Sequence, residues 1–121
     1  MKYEKAQDIQ AKFEDIVLKL GLSHIKVEDV VCIRSFGSSS RGTIARCHAL
    51  SKPLQLGLGR KGFYLLEFIS ERFDKMPEQE KIKVVIHELM HIPKCFGGGF
   101  KHHDFVCKKN VEKMFDLYNT K

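Results

Sequence analysis

The chain has 121 residues, 43% of them hydrophobic and 30% charged, with a net charge of +6. Those values exclude a disordered chain and fit one domain over residues 1–121, able to bury roughly two-thirds of its unfolded surface. The start, Met1-Lys2-Tyr3-Glu4-Lys5, lacks the apolar core of a signal peptide, and the run Phe63–Ile69 is broken by Glu67 well short of a membrane span. The expectation is a cytoplasmic protein with no membrane partner.

In chain order, Lys5 to Leu20 reads as an opening helix, with Ile9, Phe13, Ile16, Val17 and Leu20 on one stripe and Gly21 as its stop. Val27 to Phe36 is rich in β-branched residues and reads as a strand, and Thr43 to Leu50 as a second. The glycine-serine stretch between them could serve as a long hairpin connection. Leu54 to Leu58 is a short third strand candidate, and Phe63 to Ile69 the best of all. A helix follows from Lys81 to Ile92, where Ile82, Val85, Ile86, Leu89 and Met90 recur at three- and four-residue spacing. Pro77 suits its first turn, and Glu78 and Glu80 favour the positive end of its dipole. Pro93 should stop it, and Gly97-Gly98-Gly99 lets the chain reverse. The last helix runs from about Asp104 to Tyr118, with Cys107, Val111, Met114 and Tyr118 as a packing stripe. The fold class is α/β (α+β). A three- to four-stranded sheet, mostly antiparallel or mixed, packs with an N-terminal helix, a motif-bearing helix and a C-terminal helix.

The motif is His87-Glu88-Leu89-Met90-His91, an HExxH. Residues four apart share a helix face, so both imidazoles can bind one metal ion. The Glu88 carboxylate can reach a water on that metal without ligating it, the arrangement of a zinc-dependent hydrolase. A catalytic zinc usually has three protein ligands and an open position, and His102 and His103 lie just beyond the glycine turn. Ordinary half-buried histidines and a solvated glutamate are the bland alternative. The downstream proline, glycines and histidines weigh against it.

His87-Glu88-Leu89-Met90-His91-Ile92-Pro93, followed by Phe96, Gly98-Gly99 and His103, resembles the small metallopeptidases of archaea and phages. The likeness runs from Phe63 to about Phe105 and includes Glu71-Arg72-Phe73-Asp74 ahead of the helix. More distantly the segment is similar to SprT-like proteases, including the spartan proteases that degrade proteins crosslinked to DNA. Those commonly carry glycine after the third histidine, where this chain has Asp104. It departs from the metzincins, since Lys94 stands where their motif needs glycine. The resemblance implies one zinc ion per chain held by His87, His91 and His103, with His102 the alternative third ligand. It also implies Glu88 as general base and acid, and a peptide or protein substrate. His102, Tyr118 and Arg60 are candidates to support the oxyanion.

Charge is the second signal. No acid occurs between Val30 and Leu66, a window that holds Arg34, Arg41, Arg46, Lys52, Arg60 and Lys61. Its six cations equal the net charge of the whole chain. An acidic partner such as DNA would meet these residues; a basic solvated face is the plain alternative. The rival to an enzyme is therefore a non-catalytic, zinc-stabilised module that binds nucleic acid or protein. The four cysteines, Cys32, Cys47, Cys95 and Cys107, form no CxxC pair and are expected reduced. A Cys32–Cys47 disulfide would suit a hyperthermophile, and Cys95 is close enough in sequence to approach the metal.

Overall fold

A computed structural model describes residues 1–39, 41–93 and 107–121. The expected glycine turn, Cys95, His102, His103 and the start of the expected last helix lie outside the described residues. The elements run β1 (Lys2–Lys5), α1 (Gln7–Leu20), β2 (Val30–Phe36), β3 (Ala45–Ala49), α2 (Lys52–Leu58), β4 (Tyr64–Ile69), α3 (Ser70–Phe73), α4 (Glu78–Leu89) and α5 (Lys108–Asn119). A single 3-10 turn, Val27–Asp29, precedes β2 and takes the first residues of the expected strand.

The strands form one mixed sheet in the order β1-β2-β4-β3. β1 and β2 are antiparallel, β2 and β4 parallel, and β4 and β3 antiparallel. β2 and β3 are therefore not a hairpin: β4 lies between them, and Cys32 and Cys47 flank Leu66 from either side. Two strand spacings separate these thiols by about 9–10 Å, beyond the reach of a disulfide. Both are free cysteines.

Strand alternation sorts the side chains onto two faces. Val30, Cys32, Tyr64, Leu66 and Phe68 face one way and join Phe13, Ile16, Val85, Ile86, Leu89 and Phe115 in a single core. α1 lies against β2 and α4 against β3, and α5 closes over both helices. Each fully buried Leu, Ile or Phe contributes roughly 1.5–3 kcal/mol to this layer. α1 ends as its sequence requires. Gly21 sits at φ 63°, and the Leu22 N–H returns to the Val17 carbonyl, closing the helix in a left-handed cap.

Two segments depart from expectation. Lys2–Lys5 is a fully exposed edge strand with no apolar alternation to reveal it. Leu54–Leu58 is helical, not extended. Its leucines at every second position mimic strand periodicity, but the flanks belong to a helix. Ser51 accepts the Leu54 N–H as N-cap, Pro53 occupies the first turn, and Gly59 caps the end at φ 66°.

Candidate metal centre

α4 begins after Pro77, which stands as N-cap and not inside the first turn, with Glu78 and Glu80 at the positive end of the dipole. The α-helix ends at Leu89, one turn earlier than expected from the periodicity. Pro93 explains this. Its ring would collide with the Leu89 carbonyl in a continued helix, and it has no N–H to offer that oxygen. The Leu89 carbonyl accepts instead from the Ile92 N–H at 3.1 Å, and the Glu88 carbonyl from the His91 N–H at 3.2 Å. The last turn is thus tightened to i→i+3 bonding.

His91 still stands near His87 across this turn. Their ring centroids are 5.2 Å apart at an interplanar angle of 75°. A zinc ion about 2.0–2.1 Å from one nitrogen of each ring, at a tetrahedral angle, requires centroids roughly 5 Å apart, so the pair fits a shared metal. Among the described residues no group of three metal-ligating side chains gathers, and the expected third ligand lies at 102 or 103, outside them.

Glu88 points inward beside this pair. It is only 6% exposed, and its carboxylate lies 4.0 Å from His87 Nε2. Burial disfavours the charged form and raises its pKa to about 7. The Cys47 thiol on β3 is pushed up to about 12, by burial first and by the nearby Glu88 charge second. β3 therefore runs directly behind Glu88.

A cavity of about 550 Å³ opens in front of His87 and Glu88, where the start of β3 meets α4 and α5. Ile44, Met76, Val84 and Val111 give it apolar walls. Lys83 stands at its edge, bridging Glu80 at 3.4 Å and Glu112 at 3.1 Å. Val111 reads from sequence only as core, and no sequence signal marks Met76 or the Lys83–Glu112 bridge as neighbours of the motif. Along β3 the Ile44 carbonyl and Leu50 N–H bond to β4, so Ala45, Cys47 and Ala49 turn their backbone groups to the outer edge. Among the described residues no strand pairs with that edge.

The six cations of the acid-free window are not gathered on one face. Arg34, level with Phe68, leans toward α1 and α3, where Asp8 grips it at 2.6 and 2.7 Å and Asp74 at 2.9 Å. That grip holds Asp8 down at about 2 and raises the Arg34 pKa. Arg46 projects from the opposite face and meets the buried Glu67 at 3.3 Å, with His48 Nε2 on the other carboxylate oxygen at 2.8 Å. Burial alone would raise the Glu67 pKa. The Ser35 hydroxyl, which falls short of hydrogen-bond geometry, joins His48 and Arg46 in lowering it instead. Arg60 binds Asp29 at 2.7 Å and stacks on Phe63. Arg41, Lys52 and Lys61 are exposed. Of the oxyanion candidates, Tyr118 donates to Asp15 and Arg60 is held by Asp29, and neither lines the cavity; His102 lies outside the described residues.

The HExxH helix, its buried glutamate and the facing cleft lie together at the β3 edge of the four-stranded mixed sheet. Residues 1–119 match the family described as putative phage metallopeptidase, and the chain belongs to that family. No curated protein and no solved structure matches it significantly. Membership brings with it a metal cofactor and hydrolase chemistry. No helix among the described residues is long and apolar enough to cross a membrane.

Proposed function

We propose that the protein is a zinc metallopeptidase in which His87, His91 and His103 hold the metal, with His102 as the alternative third ligand, and Glu88 moves the proton. The observation that supports this best is the edge-to-face His87–His91 pair beside a nearly buried Glu88, opening on a cavity of about 550 Å³. Imidazoles suit zinc among the common metals, and zinc bound there supplies the acidity that makes a water nucleophilic near neutral pH. Glu88 takes up the proton of the attacking water on its carboxylate and delivers it to the departing amine. Burial raises the Glu88 pKa in the metal-free protein, and a zinc ion beside it would favour the ionised form that accepts the proton.

The substrate is an extended peptide laid along the outer edge of β3. It pairs with the outward backbone groups of Ala45, Cys47 and Ala49, and a side chain next to the scissile bond enters the apolar cavity. A third histidine after the motif helix is the distant likeness to SprT-like proteases, which act near DNA. The exposed Arg41, Lys52 and Lys61 are the cations such a partner would meet. The rival, a purely structural zinc module, has no use for a buried Glu88 carboxylate.

Replacement Glu88→Gln separates the two readings. The variant should bind zinc as the wild type does and lose cleavage of an unstructured protein substrate by at least a hundredfold, the usual scale of a general acid-base contribution. Equal cleavage by both forms would refute the mechanism.

A further inference from the structure

We propose that α2 is an anchor that seats the protein on an anionic lipid surface. Between Ser51 and Lys61, Gln55 is the only residue that is not exposed, and among the described residues no other element packs substantially against this helix. It nevertheless carries Leu54, Leu56 and Leu58, exposed at 56%, 86% and 65%. Apolar side chains this open and this close together mark a surface that is covered in use.

The arrangement of the leucines selects the cover. At 100° per residue, Leu54 and Leu58 fall within about 40° of each other and Leu56 lies nearly opposite. A protein groove reads one stripe of a helix, at three- and four-residue spacing, and would leave one side of α2 in water. The interfacial zone of a bilayer surrounds a protruding turn and takes all three. Charge selects the kind of bilayer. Lys52 begins the helix and Lys61 follows its cap, and both are exposed. Lysine and arginine at the rim of a lipid-inserted turn reach up to the headgroups, and each adds attraction to anionic ones. A second copy of the chain fits less well. Two α2 helices packed about a twofold would bring Lys52 and Lys61 of one copy near the same cations of the other on a protein of net charge +6. This is peripheral binding, and it replaces the expectation of no membrane partner, since the lack of a spanning run excludes only a span.

The test is co-sedimentation of the full chain with vesicles of pure phosphatidylcholine or of phosphatidylcholine containing a quarter phosphatidylglycerol, with light scattering for oligomeric state. Wild type should partition at least tenfold more onto the anionic vesicles and leave them as salt rises. Leu54→Ser/Leu56→Ser/Leu58→Ser, which touches only exposed side chains, should lose at least tenfold of that partition. So should Lys52→Glu/Lys61→Glu, a second route should the serine variant fold poorly. Three results would overturn the anchor: no binding to anionic vesicles at low salt, equal binding by the serine variant, or a wild-type dimer that the serine variant dissolves.

Discussion

Replacing Glu88 with glutamine should make the metal-free protein more stable, and only above neutral pH. The reasoning starts from burial. Glu88 is 6% exposed, and burial raises its pKa from an ordinary 4.5 to about 7. The folded state therefore holds the proton more tightly than the unfolded one. Below pH 4.5 the group is protonated in both states and costs nothing. Between 4.5 and 7 the unfolded chain ionises first, and stability falls as pH rises. Above 7 the full cost is present. At about 1.4 kcal/mol per pH unit separating the two values, that cost reaches about 3 kcal/mol. Glutamine has the same shape and cannot ionise, so it escapes the cost. In a domain of this size 1 kcal/mol moves the melting temperature by roughly 4 °C, so the variant should melt about 10 °C above wild type at pH 8.5. The two should melt close together at pH 4.5. The assay is thermal unfolding of both proteins in chelator from pH 4.5 to 8.5, where other titrating groups are common to both and cancel. Zinc, which favours the ionised carboxylate beside it, should narrow the gap. A difference that stays constant across this range would show that Glu88 ionises as readily in the folded protein as in the unfolded chain, and would remove the basis for its role as a tuned base.

Metal analysis by mass spectrometry should find about one zinc per chain, lost in either His103→Ala or His102→Ala but not both, because a catalytic site takes three protein ligands. Arg34→Ala should destabilise the fold by about 1–3 kcal/mol in thermal melts, since it strands the partly buried Asp74 and removes the tie from α1 to α3. Asp8 is held at about 2 by Arg34, so its share of that stability is present above pH 3.8 and lost as pH falls toward 2; the gap between variant and wild type should shrink over that interval. Binding of a fluorescent duplex DNA should show a log–log salt slope no steeper than about −3, the value for three phosphate contacts by Arg41, Lys52 and Lys61. A slope near −5 would mean that Arg34, Arg46 and Arg60 leave their acids to bind phosphate.

What could be read from the sequence is what short-range physics decides. The α1 stripe and its Gly21 cap, the β4 run and the HExxH turn depend on residues within a few positions of one another, and each stands close to where its pattern puts it. The early end of α4 was also implicit, because the collision of Pro93 with the Leu89 carbonyl is local; apolar periodicity through Met90 hid it. α2 was misread for a comparable reason. Leucines at 54, 56 and 58 give a strand's period, while Ser51, Pro53 and Gly59 give a helix's ends, and over seven residues the ends decide. Strand order is another matter. Nothing near Gly37–Ser39 shows that β4, nearly thirty residues on, will enter between β2 and β3. That insertion is what removes the hairpin and separates Cys32 from Cys47.

The acid-free window shows the same division applied to charge. Along the chain it is one-signed, yet the fold brings Asp8 and Asp74 to Arg34, Glu67 to Arg46 and Asp29 to Arg60. Every one of those acids lies outside the window, two of them immediately beside it. Sequence neutrality elsewhere is what made them available. The cations that remain exposed, Arg41, Lys52 and Lys61, stand in the turn before β3 and at the two ends of α2. They adjoin the strand proposed to carry substrate and the helix proposed to meet lipid. An acidic partner would thus be engaged beside the cleft by a few solvated cations, through contacts that salt weakens. The arginines held by acids tie β2 to α1 and α3, β3 to β4, and the segment after α2 to the turn before β2.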